Sequence, residues 1–387
     1  MNVFGLLIIL TLASLNSGCL GNFEKEKPKV EAQDTQPAVP DVPDFDEIKQ
    51  DNDDKRNQAL ANLYTADDLQ KALRAAALKL VSRNPTDPEI AQARKGLSEY
   101  SKVVRTYLQD PKFVDVMRAY FRDAMQMAGV VGAINYNEPS NLLTYIVAND
   151  LDYRESITAT YCVDDTLNKA ASCAAFSKPG QGSVEEFGAG VLTTQAFLEK
   201  WKSAFNFRRT NRAFQTFACQ EYPNKADTGM RVEHISGTIA TFNATAGEPV
   251  CFNCHKSINP VASLFYKFDR KGFLNNNPSM NLADNEVTQR VKLEVSSIDD
   301  ILVGNPQATY HNEPIDTVRD YAKLFANNKL FRNCVAQRFT NFIFGNDHME
   351  KLPAELDYLN DKVIDNGYKI RPLPEEVLKS RLFVFVK

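Results

Sequence analysis

The sequence predicts a mainly α protein, a helical N-terminal domain followed by a small all-α domain, and three observations carry that reading. Apolar residues recur at three- and four-residue steps through residues 69–127 and again through 315–344, the spacing of one helix face. Cap-like residues or proline open and close these stretches, as at Thr65, Asp87-Pro88 and Asp110-Pro111. Hydrophobic residues make up 43% of the chain, with 24 Phe and 14 Tyr, enough to bury a sizeable core.

The N-terminal stretch is not part of either domain. Val3 to Leu15 is an apolar run of signal-peptide length, too short to cross a membrane, and Ser17-Gly18 stand directly before Cys19. Small residues before a cysteine resemble the lipobox of bacterial lipoproteins, although Leu15 falls one place before the usual leucine and no Lys or Arg precedes the run. Residues 1–18 are expected to be removed on export and Cys19 to carry the lipid, with an ordinary cleaved signal peptide as the alternative. Residues 19–55 hold Pro28, Pro37, Pro40 and Pro43 among charged and polar residues, the composition of a disordered linker.

Residues 56–235 read as a helical domain with long loops. Thr65 with Asp68 forms a capping box ahead of the apolar face Leu69, Leu73, Ala76, Ala77 and Leu80. Asn84 to Glu89 ends that helix and starts the next, with Asp87 as its cap and Pro88 at the first helical position. Ile90, Ala93 and Leu97 give that second helix its inward stripe, and Tyr100–Leu108 and Phe113–Met127 continue the pattern beyond Asp110-Pro111. Met117, Met125 and Met127 are core filler on these helices. From Asn137 to Gly190 the pattern breaks up and predicts loops, since Gly180, Gly182, Gly188 and Gly190 lack the spacing of a dinucleotide cradle. Thr193 to Phe205 is helical again, with Phe197, Trp201 and Phe205 at four-residue steps.

The most specific chemistry lies in the second domain, residues 236–387. Cys251-Phe252-Asn253-Cys254-His255 is a Cys-x-x-Cys-His pentapeptide, the spacing at which two thiols add to the two vinyl groups of a haem while the adjacent imidazole ligates the iron. Chance would produce it in roughly one chain in a thousand of this Cys and His content, which sets accident aside. A zinc site would need two further ligands at short spacing, and no second such pair occurs; a redox dithiol would follow a strand, whereas Glu248-Pro249-Val250 leads in here. One haem c, covalently held by Cys251 and Cys254 with His255 on the iron, is the expected cofactor, and there is one motif only. Candidates for the sixth ligand are Met280 and His311, with His348 and Met349 after the last helix; His234 reads as a loop residue. Arg208, Arg209 and Arg212 are candidates for pairing with haem propionates, or a solvated basic patch. Leu264, Phe265, Phe268 and Phe273 supply apolar surface after the motif of the kind a haem macrocycle packs against, and Ile315–Phe325 and Leu330–Phe344 read as helices closing that domain.

Cys19 and the motif account for three of seven cysteines, leaving Cys162, Cys173, Cys219 and Cys334. An even remainder in an oxidising compartment points to disulfides, and of three connectivities the favoured one pairs Cys162 with Cys173 and Cys219 with Cys334. A net charge of −4, unchanged by loss of residues 1–18, argues against a nucleic-acid partner. The membrane is expected to be reached through the N-terminal lipid, which makes the protein an exported lipoprotein facing the periplasm or the surface, at the outer membrane.

Pro249 to His255 with Asn259-Pro260, Phe268-Asp269 and Gly272-Phe273 resembles the haem segment of the planctomycete-type cytochrome c-associated proteins. Arg83–Glu89, Asp152–Glu155, Thr158–Tyr161 and Gly190–Thr193 resemble the helical domain that precedes it in that family. Arg208–Arg212 with Phe217-Ala218-Cys219 resembles its joining segment, and Phe331–Gly345, with Cys334 and Arg338, its closing helix; Asn346 stands where the family often has Arg. The resemblance implies a haem domain and the same domain order, and supplies no substrate. Three functions remain: a monohaem electron carrier serving a redox partner protein or enzyme, a haem-dependent oxidoreductase or peroxidase-like enzyme, and an envelope scaffold with structural haem. Electron transfer leads because it needs only residues already visible; no distal acid/base pair can be picked out for a catalyst.

Overall fold

The computed structural model describes residues 53–202, 206–220, 261–262, 264–265, 267–275, 309–310, 313–315, 317–344 and 353–379. These are mainly helical, with strand confined to two short antiparallel hairpins, Val130–Val131 with Ile134–Asn135 and Thr309–Tyr310 with Glu313–Pro314. The helices are α1 (Asp53–Ala61), α2 (Ala66–Val81), α3 (Asp87–Ala93), α4 (Leu97–Gln109), α5 (Pro111–Met125), α6 (Glu138–Ala148), α7 (Glu155–Thr158), α8 (Val184–Phe187), α9 (Gln195–Lys200), α10 (Phe207–Phe217), α11 (Val318–Ala326), α12 (Lys329–Phe344), α13 (Pro353–Asp365) and α14 (Leu373–Lys379).

Local chemistry sets the early boundaries. Thr65 and Asp68 cap α2 reciprocally, and its face Leu69, Leu73, Ala76, Ala77 and Leu80 is buried as expected. α3 starts one residue earlier than expected: Thr86 is its cap, because Glu89 lies three positions on and closes the box, and Asp87 becomes the first helical residue. The inward stripe drawn through Ile90, Ala93 and Leu97 is divided between two helices. Gly96, at φ +141°, turns the chain where a side chain would be strained, so Leu97 opens α4. Asp110 then caps α5 with Pro111 at its first turn, and Met117, Met125 and Met127 lie in the core.

The stretch expected to be loop from Asn137 contains α6. It was hidden because its polar residues are buried with its apolar ones, so no polar face marks a helical period: Ser140, Asn141 and Thr144 are as inaccessible as Ile146. Its polar side chains are satisfied. Ser140 Oγ donates to Asn137 O at 2.9 Å, Thr144 Oγ1 to Ser140 O at 2.6 Å, and Asn141 bridges Arg118 and Asp165 at 2.8 Å each.

One apolar cluster runs from Leu60 to Leu378 and joins residues from both sides of position 235. Tyr321 stacks on Phe325, Phe325 meets Phe331 edge-on, and Phe331 continues to Phe217 of α10 and to Tyr153. Each buried ring contributes about 2–3 kcal/mol by area, and ring pairing adds on the order of 1 kcal/mol. The C-terminal helices return to the N-terminal ones. Tyr64 Oη donates to Lys379 O at 2.8 Å, Tyr100 Oη to Leu378 O at 3.3 Å, and Arg371 donates to Leu108 O and Ala148 O at 2.8 and 3.0 Å.

The disulfides are the expected ones. Cys162–Cys173 staples the loop after α7, and Cys219–Cys334 ties the end of α10 to α12.

Candidate functional site

Cys19, Cys251, Cys254, His255, Met280, His311, His348, Met349, His234 and Asn346 lie outside the described residues. The described fold shows what stands on either side of the motif. Gln220 precedes it, and Val261, six residues beyond His255, follows it.

The three candidate arginines share α10, and the helix turns them to different fates. Arg208 is exposed. Arg209 points into the core and is 1% exposed, with Nε donating to Leu198 O at 2.8 Å, Nη1 to Asn206 Oδ1 at 2.9 Å and Phe268 O at 3.0 Å, and Nη2 to Asp269 O at 2.7 Å. Burial pulls its pKa down to about 9, while Asp269 and Glu199 oppose that shift. A guanidinium is tolerated at such depth only because carbonyl and amide oxygens surround it. Arg209 is therefore a bolt that fixes the Phe268–Asp269 turn to α9 and α10.

The same turn is held from other sides. Asp269 accepts from the Lys271 and Phe273 amides at 2.9 Å and from Lys178 Nζ at 2.7 Å, and Gln195 Nε2 donates to Lys271 O at 3.1 Å. A Cβ at Gly272, φ +78°, would stand 2.6 Å from Gln195 O, so this close approach requires glycine. Leu264, Phe265 and Phe268 are buried, and Phe268 meets Phe176 edge-on at 5.9 Å. The apolar surface expected to pack a macrocycle is, for these three, packed against protein.

Arg212 is half-buried. Its Nη2 donates to Ala124 O at 2.7 Å and its guanidinium lies 4.9 Å from the Trp201 ring. Burial lowers its pKa, and Arg338 lowers it further. Arg338, from α12, donates through Nε to Thr216 O at 2.7 Å and through Nη2 to Gln215 O at 3.1 Å, placing a positive charge at the C-terminal end of α10. Between them opens a cleft of about 760 Å³, with Tyr120 and Asp123 of α5, Gln337 of α12, and Cys219 among its lining.

A buried carboxyl also went unread in the sequence. Glu138, at the first turn of α6, is enclosed, and its Oε2 lies 3.5 Å from the Ala196 amide at the start of α9. Burial raises its pKa from the ordinary 4.5 to about 7, against the opposing bonds of the Ala196 and Gln195 amides. The Glu138-Pro139 pair was a helix-start signal that could have located both helix and carboxylate.

Among the described residues no three His, Cys, Asp or Glu side chains cluster so as to hold a metal ion, and no helix is long and apolar enough to cross a membrane. For a haem at residues 251–255 the donor chemistry fits. Both disulfides are closed, so apart from Cys19 the motif's two cysteines are the thiols left for attachment. The chain matches no protein-family model, no curated protein and no solved structure.

Proposed function

We propose that the chain is a monohaem c-type cytochrome lipoprotein of the bacterial cell envelope, which carries one electron at a time to or from a redox partner protein or enzyme. The carrying observation is the Cys251-Phe252-Asn253-Cys254-His255 motif, taken with the pairing of Cys162 with Cys173 and Cys219 with Cys334. That pairing supports an oxidising compartment, where haem meets exported thiols. Haem bound there supplies a reversible one-electron couple. Cys251 and Cys254 hold it by thioether bonds, His255 gives the axial nitrogen, and Met280 or His311 is the candidate for the opposite position.

The described residues contribute rigidity to this reading. Arg209, Asp269 and Gly272 hold the chain at the Phe268–Phe273 turn, and the Cys219–Cys334 bond holds it at the end of α10. Cys19 tethers the body to the outer membrane and residues 19–55 act as the spacer. Residues 56–235 form the helical domain in this reading, and residues 236–387 the cytochrome c-like domain. A visible spectrum of oxidised and reduced protein, with and without carbon monoxide, tests it. An electron carrier gives a six-coordinate spectrum that carbon monoxide leaves unmoved. A carbon monoxide shift instead means an open iron position and a ligand-binding enzyme.

A further inference from the structure

We infer that the cleft between α5, α10 and α12 is a binding site for a hydroxy acid, a small carboxylate carrying several hydroxyl groups, as in an acidic sugar. The inference stands apart from the haem reading, since every residue it uses lies in the described fold.

The cleft volume of about 760 Å³ falls within the range of small-molecule sites, roughly 300–1,000 Å³. Its lining is polar in a particular way. Arg212 and Arg338 face one carboxylate, Asp123, so a single net positive charge remains, which suits a monoanion better than a phosphate dianion. Gln126, Gln215, Gln220 and Gln337 also line it. Primary amides both donate and accept, as hydroxyl groups do, so an amide-rich wall recognises a polyhydroxylated molecule.

The wall also holds polar atoms that the fold leaves unsatisfied. Arg212 Nε, Trp201 Nε1 and Gln220 Oε1 are buried with no hydrogen-bond partner among the described residues. These atoms lie just beneath the cleft surface, and a side-chain reorientation that brings them against a bound hydroxy acid would give them the partners they lack. Burial and the neighbouring Arg338 charge both lower the Arg212 pKa, and an anion bound beside the pair offsets that repulsion.

A haem propionate carries the same carboxylate chemistry, so the test uses two proteins: the full chain loaded with haem, and a Cys251→Ala/Cys254→Ala chain that cannot attach it. Each is titrated calorimetrically with D-glucuronate, glucose and acetate. Trp201, the chain's one tryptophan, gives a second readout by its fluorescence in the haem-free chain. Saturable one-to-one glucuronate binding, at least tenfold tighter than glucose, is expected in both proteins. Binding confined to the haem-free chain assigns the cleft to a haem propionate and overturns the inference. Arg212→Gln should weaken glucuronate at least tenfold with circular dichroism unchanged. Should that variant fail to fold, Asp123→Asn on the exposed face of α5 decides, with an expected tightening of roughly three- to tenfold. No saturable glucuronate binding in either protein, equal affinity for glucose, or an indifferent Asp123→Asn overturns the inference.

Discussion

Cys219 is bonded to Cys334 across 115 residues of sequence, so the segment carrying Cys251, Cys254 and His255 is closed into a covalent loop whose ends meet between α10 and α12. Cys219 holds φ at +54°, a conformation most residues avoid, at the point where α10 ends. The bond thus ties the end of α10 to α12 and makes the intervening sequence one covalent ring.

Replacing both cysteines of that pair by serine should lower stability by about 4–5 kcal/mol, the loop-closure value for a ring of this size. Urea unfolding of the haem-loaded protein reads it. A thiol count on denatured, unreduced protein complements this: mature, haem-loaded chain should show no titratable thiol, and four would contradict the pairing.

Arg209→Gln should destabilise the fold by about 3–5 kcal/mol, because Leu198 O, Phe268 O and Asp269 O would lose their donors inside the core. Thermal unfolding measures the loss. The cofactor spectrum of the fraction that remains folded should keep its shape, since Arg209 is committed to backbone carbonyls. A variant as stable as the parent would show that the buried guanidinium does not hold the Phe268–Asp269 turn.

Glu138 sets a pH dependence of definite sign. Its folded pKa, about 7, lies above its ordinary 4.5, so the native state holds the proton more tightly than the unfolded chain. Stability from this group is complete below pH 4.5, falls as pH rises towards 7, and stays lost above it. Glu138→Gln should remove the slope, gaining up to about 3 kcal/mol relative to the parent at pH 8 and nothing at pH 4. Denaturant midpoints of both proteins across that window check it, and parallel profiles would contradict the burial of a neutral carboxyl.

Arg83 and Glu89 act at the other end of the scale. The Arg83 guanidinium, 2.7 and 2.9 Å from the two carboxylate oxygens, holds Glu89 down to about 2. Stability from the pair is present above pH 4.5 and lost as pH falls towards 2. The pair is partly exposed, so Glu89→Gln should cost only about 1 kcal/mol at neutral pH, together with part of the α3 cap.

Reading the sequence succeeded where local chemistry decides and failed where burial does. The Thr65–Asp68 box, the Asp110-Pro111 break and the face from Leu69 to Leu80 were legible because capping and amphipathic spacing are written in neighbouring residues. α6 was not, since Ser140, Asn141 and Thr144 are polar yet buried, and only tertiary partners such as Asp165 make that tolerable. The disulfides could be paired from spacing. The arginines could not be sorted: Arg208, Arg209 and Arg212 look like one basic patch in sequence, and only the rotation of α10 sends Arg209 to the core and Arg212 to the cleft. The C-terminal helices α13 and α14 were likewise not anticipated, because their packing against α12 and α4 is a long-range matter.

Covalent attachment is the claim on which the functional reading depends, and intact mass after acidified-acetone extraction tests it most directly. Protein purified from cells competent in cytochrome maturation should remain coloured and be heavier than the polypeptide by one haem, with the added mass on the peptide containing Cys251 and Cys254. A colourless chain at the polypeptide mass, or pigment released into the acetone, would contradict it.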